Sequence, residues 1–179
     1  GFVTIEGSVK YEGKYPIINS SEKVSDIINR SGGLTRLAYP LSSEFSRGGE
    51  TIRLSFEKLI KNPRSKYNFS IKDGDLIKIN TKPNLVKVIG SVNNPGKYQF
   101  IPNSNIYTYI KLAGGLTKNA SKYGSYILYP DGTAKKIDLI RLAPKVIDGS
   151  IVNIIAKEFV EPFNVTTYIT NLTLIYADI

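Results

Sequence analysis

Hydrophobic residues near the start of the chain alternate with polar ones, as they do in a β-strand. Val3, Ile5 and Val9 occupy alternate positions of a run that is interrupted at Gly7. This alternation predicts a strand, and the internal glycine predicts a bulge or the close approach of another backbone. Residues 15–18 predict the return strand of a hairpin, after a turn that uses Gly13 as its glycine.

The next hydrophobic residues follow a helical period. Their apolar face consists of Val24, Ile27 and Ile28. Asn19, with Glu22 three residues later, resembles a capping box and predicts where this helix begins. The pair Gly32 and Gly33 predicts where it ends, because a left-handed residue there satisfies free carbonyl groups and glycine adopts that conformation without strain.

Both patterns occur twice. Gly7 and Gly13 recur 83 positions later as Gly90 and Gly96, and the glycine pair recurs as Gly114 and Gly115. A second helix face consists of Ile106, Tyr109, Ile110 and Ala113. Pro95 followed by Gly96 predicts a type II turn in the second copy. A single turn does not require such a duplicate, so the sequence predicts two copies of one fold.

The closing strands complete each copy and define the domains. "IKDGDLIKI" at 71–79 corresponds to "VIDGSIVNI" at 146–154. The order strand, strand, helix, strands predicts the α+β class, with one helix across a small mixed sheet as in a β-grasp (ubiquitin-like) fold. We expect domains at 1–83 and 84–157. Because units of this size hold only a modest core, we expect the copies to pack on each other or on neighbours.

The C-terminal segment 158–179 satisfies two periods. Helical spacing relates Val165, Tyr168, Ile169, Leu172 and Ile175, whereas strand alternation relates Leu172, Leu174 and Tyr176. We favour a helix that lies close to a membrane. A strand would instead extend the sheet of a neighbour and promote a dimer.

Composition removes most catalytic chemistry from consideration. The chain has no cysteine, histidine, methionine or tryptophan, which excludes disulfides, the usual zinc sites and most nucleophile–base pairs. Asp73, Asp75 and Asp148 are predicted to be turn residues before strands rather than metal ligands. We expect no metal, no cofactor and no enzymatic activity. A sugar-processing enzyme would require two carboxylates that face each other in a cleft.

The net charge of +9 predicts attraction to anions. Lysine and arginine are scattered along the sequence, so nucleic acid is not an expected partner. A solvated basic surface, an acidic glycan and an anionic lipid surface all remain compatible with the charge. The chain starts at Gly1 rather than at a methionine, and we expect it to be part of a longer protein with any signal peptide or lipid anchor upstream.

Together these motifs resemble the SLBB domain, a soluble-ligand-binding β-grasp. The second copy carries the resemblance at Val88, Gly90, Val92, Pro95, Gly96, Tyr98, Ala113, Gly114, Gly115, Leu116 and Thr117. The first copy departs from the pattern at Glu12 and Ser31. Its stretch "VSDIINRSGGLTRLAYP" is similar to SLBB proteins of the Bacteroidetes type. The resemblance covers about residues 2–155.

This resemblance implies a function that the sequence patterns alone do not. Tandem SLBB domains are typical of polysaccharide export proteins of the bacterial outer membrane, which form oligomeric conduits through the periplasm. It implies a periplasmic, outer-membrane-associated protein whose partners are an exported polysaccharide, an inner-membrane polysaccharide copolymerase and further copies of itself. The export-signature domain that usually precedes the repeats is not in this chain, so we expect membrane association through regions outside it.

The loops after the glycine pairs hold the candidate binding residues. These are Arg36 and Tyr39 in the first copy and Lys118, Lys122 and Tyr123 in the second. Such side chains could face a glycan or a neighbouring subunit, since aromatic rings stack on sugars and cations pair with carboxylates. The alternatives are a solvated loop with locally packed tyrosines and a protein-interaction adaptor that binds no glycan.

Overall fold

The computed structural model describes residues 1–121, 123–138 and 144–157. It divides into two compact units, of which the first comprises residues 1–82 and the second begins at residue 83. The segment 158–179, for which we predicted a helix or a strand, lies outside the described residues.

The two units contain closely similar elements. The first unit contains β1 (Phe2–Gly7), β2 (Gly13–Pro16), α1 (Val24–Arg30), a 3-10 helix (Pro40–Ser42), β3 (Glu44–Arg47), β4 (Glu50–Ile52), α2 (Phe56–Lys61) and β5 (Leu76–Ile79). The described part of the second unit contains β6 (Leu85–Gly90), β7 (Gly96–Gln99), α3 (Ile106–Leu112), β8 (Tyr126–Leu128), β9 (Ala134–Lys136) and β10 (Ile151–Ile154).

Each unit is built on a five-stranded mixed sheet, with the same order of strands in both. The order is β2-β1-β5-β3-β4 in the first sheet and β7-β6-β10-β8-β9 in the second. The central pairs β1–β5 and β6–β10 are parallel, and the other neighbours are antiparallel. This architecture confirms the predicted α+β class and is compatible with two β-grasp-like units.

Alternation along the strands builds the core of each unit. In β1, Val3 and Ile5 are fully buried, and they belong to one cluster with Ile27 of α1. The second unit repeats this arrangement with Val86 and Val88 of β6. Full burial of such a side chain contributes about 1.5–3 kcal/mol, so the helix and the sheet stabilise each other.

The predicted start of the first helix was wrong. The helix begins at Val24, and its first turn is capped by Asp26, whose Oδ2 accepts the N–H of Lys23 at 2.9 Å. Lysine carries no acceptor atom, so the cap is one-sided. Asn19 instead accepts the N–H of Ser21 in the preceding turn. Glu22 is buried and forms an ion pair with Arg30.

The glycine pairs end the helices as predicted. Gly32 has φ +81° and Gly33 has φ +83°. The N–H of Gly33 donates to the carbonyl of Ile28 at 2.9 Å, and the N–H of Gly32 donates to that of Asn29 at 3.0 Å. These are the two hydrogen bonds of a Schellman motif. Gly114 and Gly115 repeat the motif at the end of α3.

The predicted type II turn at Pro95–Gly96 is not formed. Gly96 lies outside the left-handed region and is the first residue of β7. The preceding residues find hydrogen-bond partners elsewhere, because the N–H groups of Asn93 and Asn94 donate to the carbonyls of Gly115 and Ala113. The hairpin is therefore joined by a wider connection that depends on the loop after the helix.

Equivalent backbone groups are satisfied by different chemistry in the two units. In the first, the N–H of Ile18 donates to Glu22, which is 5% exposed and forms an ion pair with Arg30 at 2.6 Å. In the second, the N–H of Ile101 donates at 2.8 Å to the hydroxyl of Tyr109. In the second unit the Tyr109 hydroxyl therefore accepts the backbone N–H that the ion-paired Glu22 accepts in the first.

A second pair of equivalent backbone carbonyls, beside the last strand of each unit, is also bound by different side chains. Arg47 forms a bidentate ion pair with the fully buried Asp75, and it also donates to the carbonyl of Ser70 at 2.8 Å. The hydrogen bond to Asp75 raises the pKa of Arg47. In the second unit the hydroxyl of Tyr129 donates to the equivalent carbonyl, that of Lys145, at 3.0 Å.

Candidate ligand-binding loop

The strand glycines permit a close backbone contact at the end of each sheet. Gly7 has φ +89°, and a Cβ at this position would overlap the carbonyl oxygen of Ile79. That same oxygen accepts the N–H of Ser8 at 2.7 Å. Gly90, with φ +86°, has the same relation to Ile154. The predicted close approach is confirmed, and only glycine fits without displacing the last strand.

Two segments join side by side next to these glycines. We call residues 8–12 and 91–95 the hairpin links, and residues 31–36 and 113–118 the glycine loops. In the first unit Val9 forms a β-bridge with Leu34, and the N–H of Lys10 donates to Gly33 at 3.0 Å. The second unit repeats the β-bridge between its link and its loop. In each unit the hairpin link and the glycine loop are thus joined into one hydrogen-bonded surface, which we call the platform.

The motif tyrosine secures the hairpin link from the other side. The hydroxyl of Tyr15 donates to the carbonyl of Tyr11 at 2.8 Å. The hydroxyl of Tyr98 donates to the carbonyl of Asn94 in the second unit at 2.5 Å. Because the tyrosine hydroxyl donates to the backbone carbonyl of residue 11 or 94, the side chain at that position is free to differ between the copies.

The side chains displayed on the platforms do differ. In the first unit Tyr11 is 58% exposed, and the ammonium of Lys10 lies 5.2 Å from the centre of its ring. In the second unit Asn93 and Asn94 occupy these places, and Asn93 donates to the carbonyl of Gly114 at 2.6 Å. Sequence reasoning missed Lys10 and Tyr11, since the motif marks the residues that build the platform and not those displayed on it.

The predicted residues of the first loop lie just after its glycines. Arg36 is exposed, and Leu37 beside it is 64% exposed. Tyr39 is half-buried, and its N–H donates to the carbonyl of Asn80 at 2.7 Å. Tyr39 thus anchors the segment that follows the glycine loop through its backbone N–H, whereas Arg36 is exposed to solvent.

Two of the three predicted residues after the second glycine pair are described, and both are exposed. Lys118 is exposed, and its carbonyl accepts a hydrogen bond from the ammonium of Lys157 at 2.9 Å. Tyr123 is 65% exposed. Lys122 lies outside the described residues. Lys157 therefore places a second cation beside Lys118. The sequence did not predict this contact, because the two residues are far apart along the chain.

Asp73 and Asp148, in the last turn of each unit, accept hydrogen bonds from the backbone. Asp73 accepts the N–H of Phe2 at 2.7 Å, and Asp148 accepts that of Leu85 at 3.1 Å. Each therefore ties the final turn to the start of the first strand of its unit. In the part of the chain that the structure describes, no three acidic side chains come together in a group that could hold a metal ion.

Platform and sheet together define a small α+β domain that displays exposed aromatic, cationic and amide side chains next to a hydrogen-bonded loop. The backbone of this loop is held by hydrogen bonds and a β-bridge to the hairpin link. Comparison with protein families agrees with this class. Residues 85–133 match the family model described as SLBB domain. SLBB domains are soluble-ligand-binding β-grasp domains that occur in polysaccharide export proteins.

Other comparisons bear on the chain as a whole. No curated protein sequence matches it. Among the helices of the described residues, none has the length and apolar character needed to cross a bilayer.

Proposed function

We propose that this chain is a non-catalytic part of a bacterial polysaccharide export protein, of the Bacteroidetes type, and that both of its units are SLBB β-grasp domains. The observation that carries the proposal is the duplicated platform. The family match lies at residues 85–133. The first unit has the same strand order, the same Schellman motif and the same bridge between link and loop.

The displayed side chains support a glycan as the ligand. Tyr11 offers an exposed ring face on which a sugar can stack, and Lys10 and Arg36 are exposed cations on adjacent segments. In the second unit Asn94 and Lys118 supply an amide and a cation. These groups favour an acidic polysaccharide, because its carboxylates can pair with the cations while its rings stack on tyrosine.

The resemblance to export proteins supports the remaining features of the proposal. The protein acts in the periplasm in association with the outer membrane. It assembles with further copies of itself into a conduit and works with an inner-membrane polysaccharide copolymerase. Light scattering across a range of concentrations tests the assembly. A defined oligomer is expected, and a strict monomer at every concentration would contradict conduit formation by this part of the protein.

Titration with a soluble polyuronate, followed by amide chemical shifts, tests glycan binding. We expect shifts in the hairpin links and glycine loops that weaken as salt increases, because ion pairing is screened. Tyr11→Ala should weaken binding by roughly threefold to tenfold. Tyr107→Ala is the matched control, since Tyr107 is a 43% exposed tyrosine on α3. Binding that is absent, or insensitive to salt, would refute an acidic glycan as the ligand.

One observation favours the adaptor alternative. Leu37 is 64% exposed and directly follows the first glycine loop, and Leu116 is 40% exposed and lies in the second. Exposed leucines are more useful to a protein partner than to a polar glycan. If the polyuronate produces no shifts while Leu37→Ser abolishes self-association, the platforms serve protein contacts instead.

A further inference from the structure

The first unit contains a stretch of chain that the second unit lacks. Thr51 and Ala134 hold equivalent places in the edge strands β4 and β9. Ser70 and Lys145 form equivalent β-bridges before the last strand of each unit. The bridge residue follows the strand residue by 19 positions in the first unit and by 11 in the second, so the first unit holds eight more residues here. We call residues 58–69, which comprise the end of α2 and the loop after it, the basic loop.

A buried asparagine attaches the basic loop to the rest of the unit. Asn68 is 5% exposed, and its Oδ1 accepts the N–H of Ser25 at 3.0 Å. Its Nδ2 donates to the Ser25 hydroxyl at 2.8 Å and to the carbonyl of Pro63 at 2.7 Å. The carbonyl of Phe69 accepts the N–H of Val24 at 3.1 Å. The loop is therefore bonded to the first turn of α1 and is a folded part of the unit.

The basic loop concentrates positive charge. It contains no carboxylate and four exposed cations, which are Lys58, Lys61, Arg64 and Lys66. Lys58 and Lys61 are three positions apart on α2 and therefore lie on the same side of that helix. The ammonium groups of Lys58 and Lys66 lie 5.0 Å and 5.5 Å from the centre of the Tyr67 ring. The helix end and the loop thus present their charges close together.

These charges have no carboxylate partner in the part of the chain that the structure describes. The ion pairs there join Arg30 to Glu22 and Arg47 to Asp75, and the four cations of the basic loop take part in neither. Because like charges repel each other, such a cluster is stabilised by an anionic partner. The basic loop therefore favours a ligand that presents several negative charges together.

The aromatic residues of the basic loop favour a lipid surface over a glycan as that ligand. Tyr67 is half-buried against the core and has two ammonium groups at its ring, so it lacks the open ring face that Tyr11 offers. Phe69 is 38% exposed and has no polar atom in its side chain for a sugar hydroxyl. Exposed phenylalanine among lysines suits the headgroup region of an anionic bilayer, where cations pair with phosphates and the ring reaches the acyl boundary.

We propose that the basic loop is a peripheral binding site for an anionic lipid surface. Its four cations pair with headgroup phosphates, and Phe69 contacts the border of the acyl region. The second unit lacks the eight additional residues and has no such site. This binding is separate from that of a glycan at the platforms, because no platform residue belongs to the basic loop.

Sedimentation with vesicles tests this proposal in the full chain. We expect binding to vesicles made of equal parts of phosphatidylglycerol and phosphatidylcholine, and none to phosphatidylcholine alone. Lys61→Gln/Lys66→Gln should weaken binding by roughly 25-fold, at about fivefold for each cation removed. Lys135→Gln/Lys136→Gln is the matched control, because it removes two exposed lysines of β9 and changes the net charge equally. This control should leave binding nearly unchanged.

Phe69→Ser separates the apolar contact from the charge. It should weaken vesicle binding by roughly threefold to tenfold and leave the salt dependence of binding unchanged, since no ion pair is removed. Lys61→Gln/Lys66→Gln should instead reduce the salt dependence. In both variants the amide signals of Ser25 and Asn68 should keep their positions, which shows that the loop remains attached to α1.

Three results would overturn the proposal. The first is absent binding, or equal binding to both kinds of vesicle. The second is a loss in the control as large as that in Lys61→Gln/Lys66→Gln, which would assign binding to net charge. The third is a set of shifts in the basic loop on titration with polyuronate that this double variant abolishes, which would assign the loop to a soluble polyanion. Shifts confined to the platforms concern the glycan site and leave the lipid site to the vesicle assay.

Discussion

Replacing Gly90 by alanine should destabilise the second unit through two separate effects. The φ of +86° places the new side chain in the left-handed region, which costs about 1–2 kcal/mol. The Cβ would also overlap the carbonyl oxygen of Ile154, which accepts the N–H of Ser91 at 2.6 Å. Moving that carbonyl weakens a hydrogen bond worth about 1 kcal/mol. The expected loss is therefore about 2–3 kcal/mol.

Gly115→Ala is the matched control for this prediction. Gly115 has φ +85°, but no heavy atom lies within 4 Å of its missing Cβ. The control therefore carries the cost of φ without that of the overlap, and it should lose about 1–2 kcal/mol. Urea unfolding, followed through the amide signals of Val88 and Val152, reports on the second unit separately from the first.

The two variants should differ in their urea midpoints by about 1 M, because a small unit has an m-value near 1 kcal/mol per M. Their m-values should agree. Equal midpoints would show that backbone conformation alone requires glycine at position 90, and that the close approach of the last strand contributes nothing. A larger loss in Gly115→Ala would contradict the structural argument altogether.

Two further predictions concern Arg47 and Tyr129, which occupy equivalent positions of the two units and donate to equivalent carbonyls. Arg47→Met should destabilise the first unit by about 3 kcal/mol, which is the low end for a broken buried ion pair because Arg47 is partly exposed. Urea unfolding measures this loss. The same substitution made in an Asp75→Asn background should cause no such loss relative to Asp75→Asn alone, because the buried charge is then absent. Burial and the charge of Asp131 raise the pKa of Tyr129, so the unfolded chain loses this proton at a lower pH than the folded chain. Stability of the second unit should therefore fall as pH rises above about 10, and it should fall less in Tyr129→Phe, measured by urea unfolding between neutral and alkaline pH; an identical slope in the variant would contradict the assignment.

The duplicated glycines made the fold predictable from sequence. Gly32 and Gly33 mark a helix end because few other residues tolerate φ near +80°, and their recurrence identified the second copy. Alternation in β1 and β6 likewise predicted which residues face the helix. These features depend on local backbone geometry and on periodicity, both of which are determined within a few neighbouring residues.

Local patterns failed where a distant residue supplied the partner. Pro95 and Gly96 resemble a tight turn, but the hairpin link bonds to a glycine loop some twenty positions later, so the turn is not needed. Asn19 resembles a helix cap, but Glu22, the predicted partner in that capping box, forms an ion pair with Arg30 instead. The candidate residues Arg36 and Lys118 followed from exposure of a loop, whereas Tyr11 became a candidate only when the link was seen beside that loop.

By itself, the sequence determined that this chain is a duplicated α+β chain and where its helices α1 and α3 end. The tertiary structure alone decided how buried polar groups are satisfied. Glu22 and Tyr109 stand at different positions in the repeat, yet they accept equivalent backbone N–H groups, those of Ile18 and Ile101. It also decided which strand faces are covered, because burial depends on the layers above a sheet and not on the order of residues within a strand.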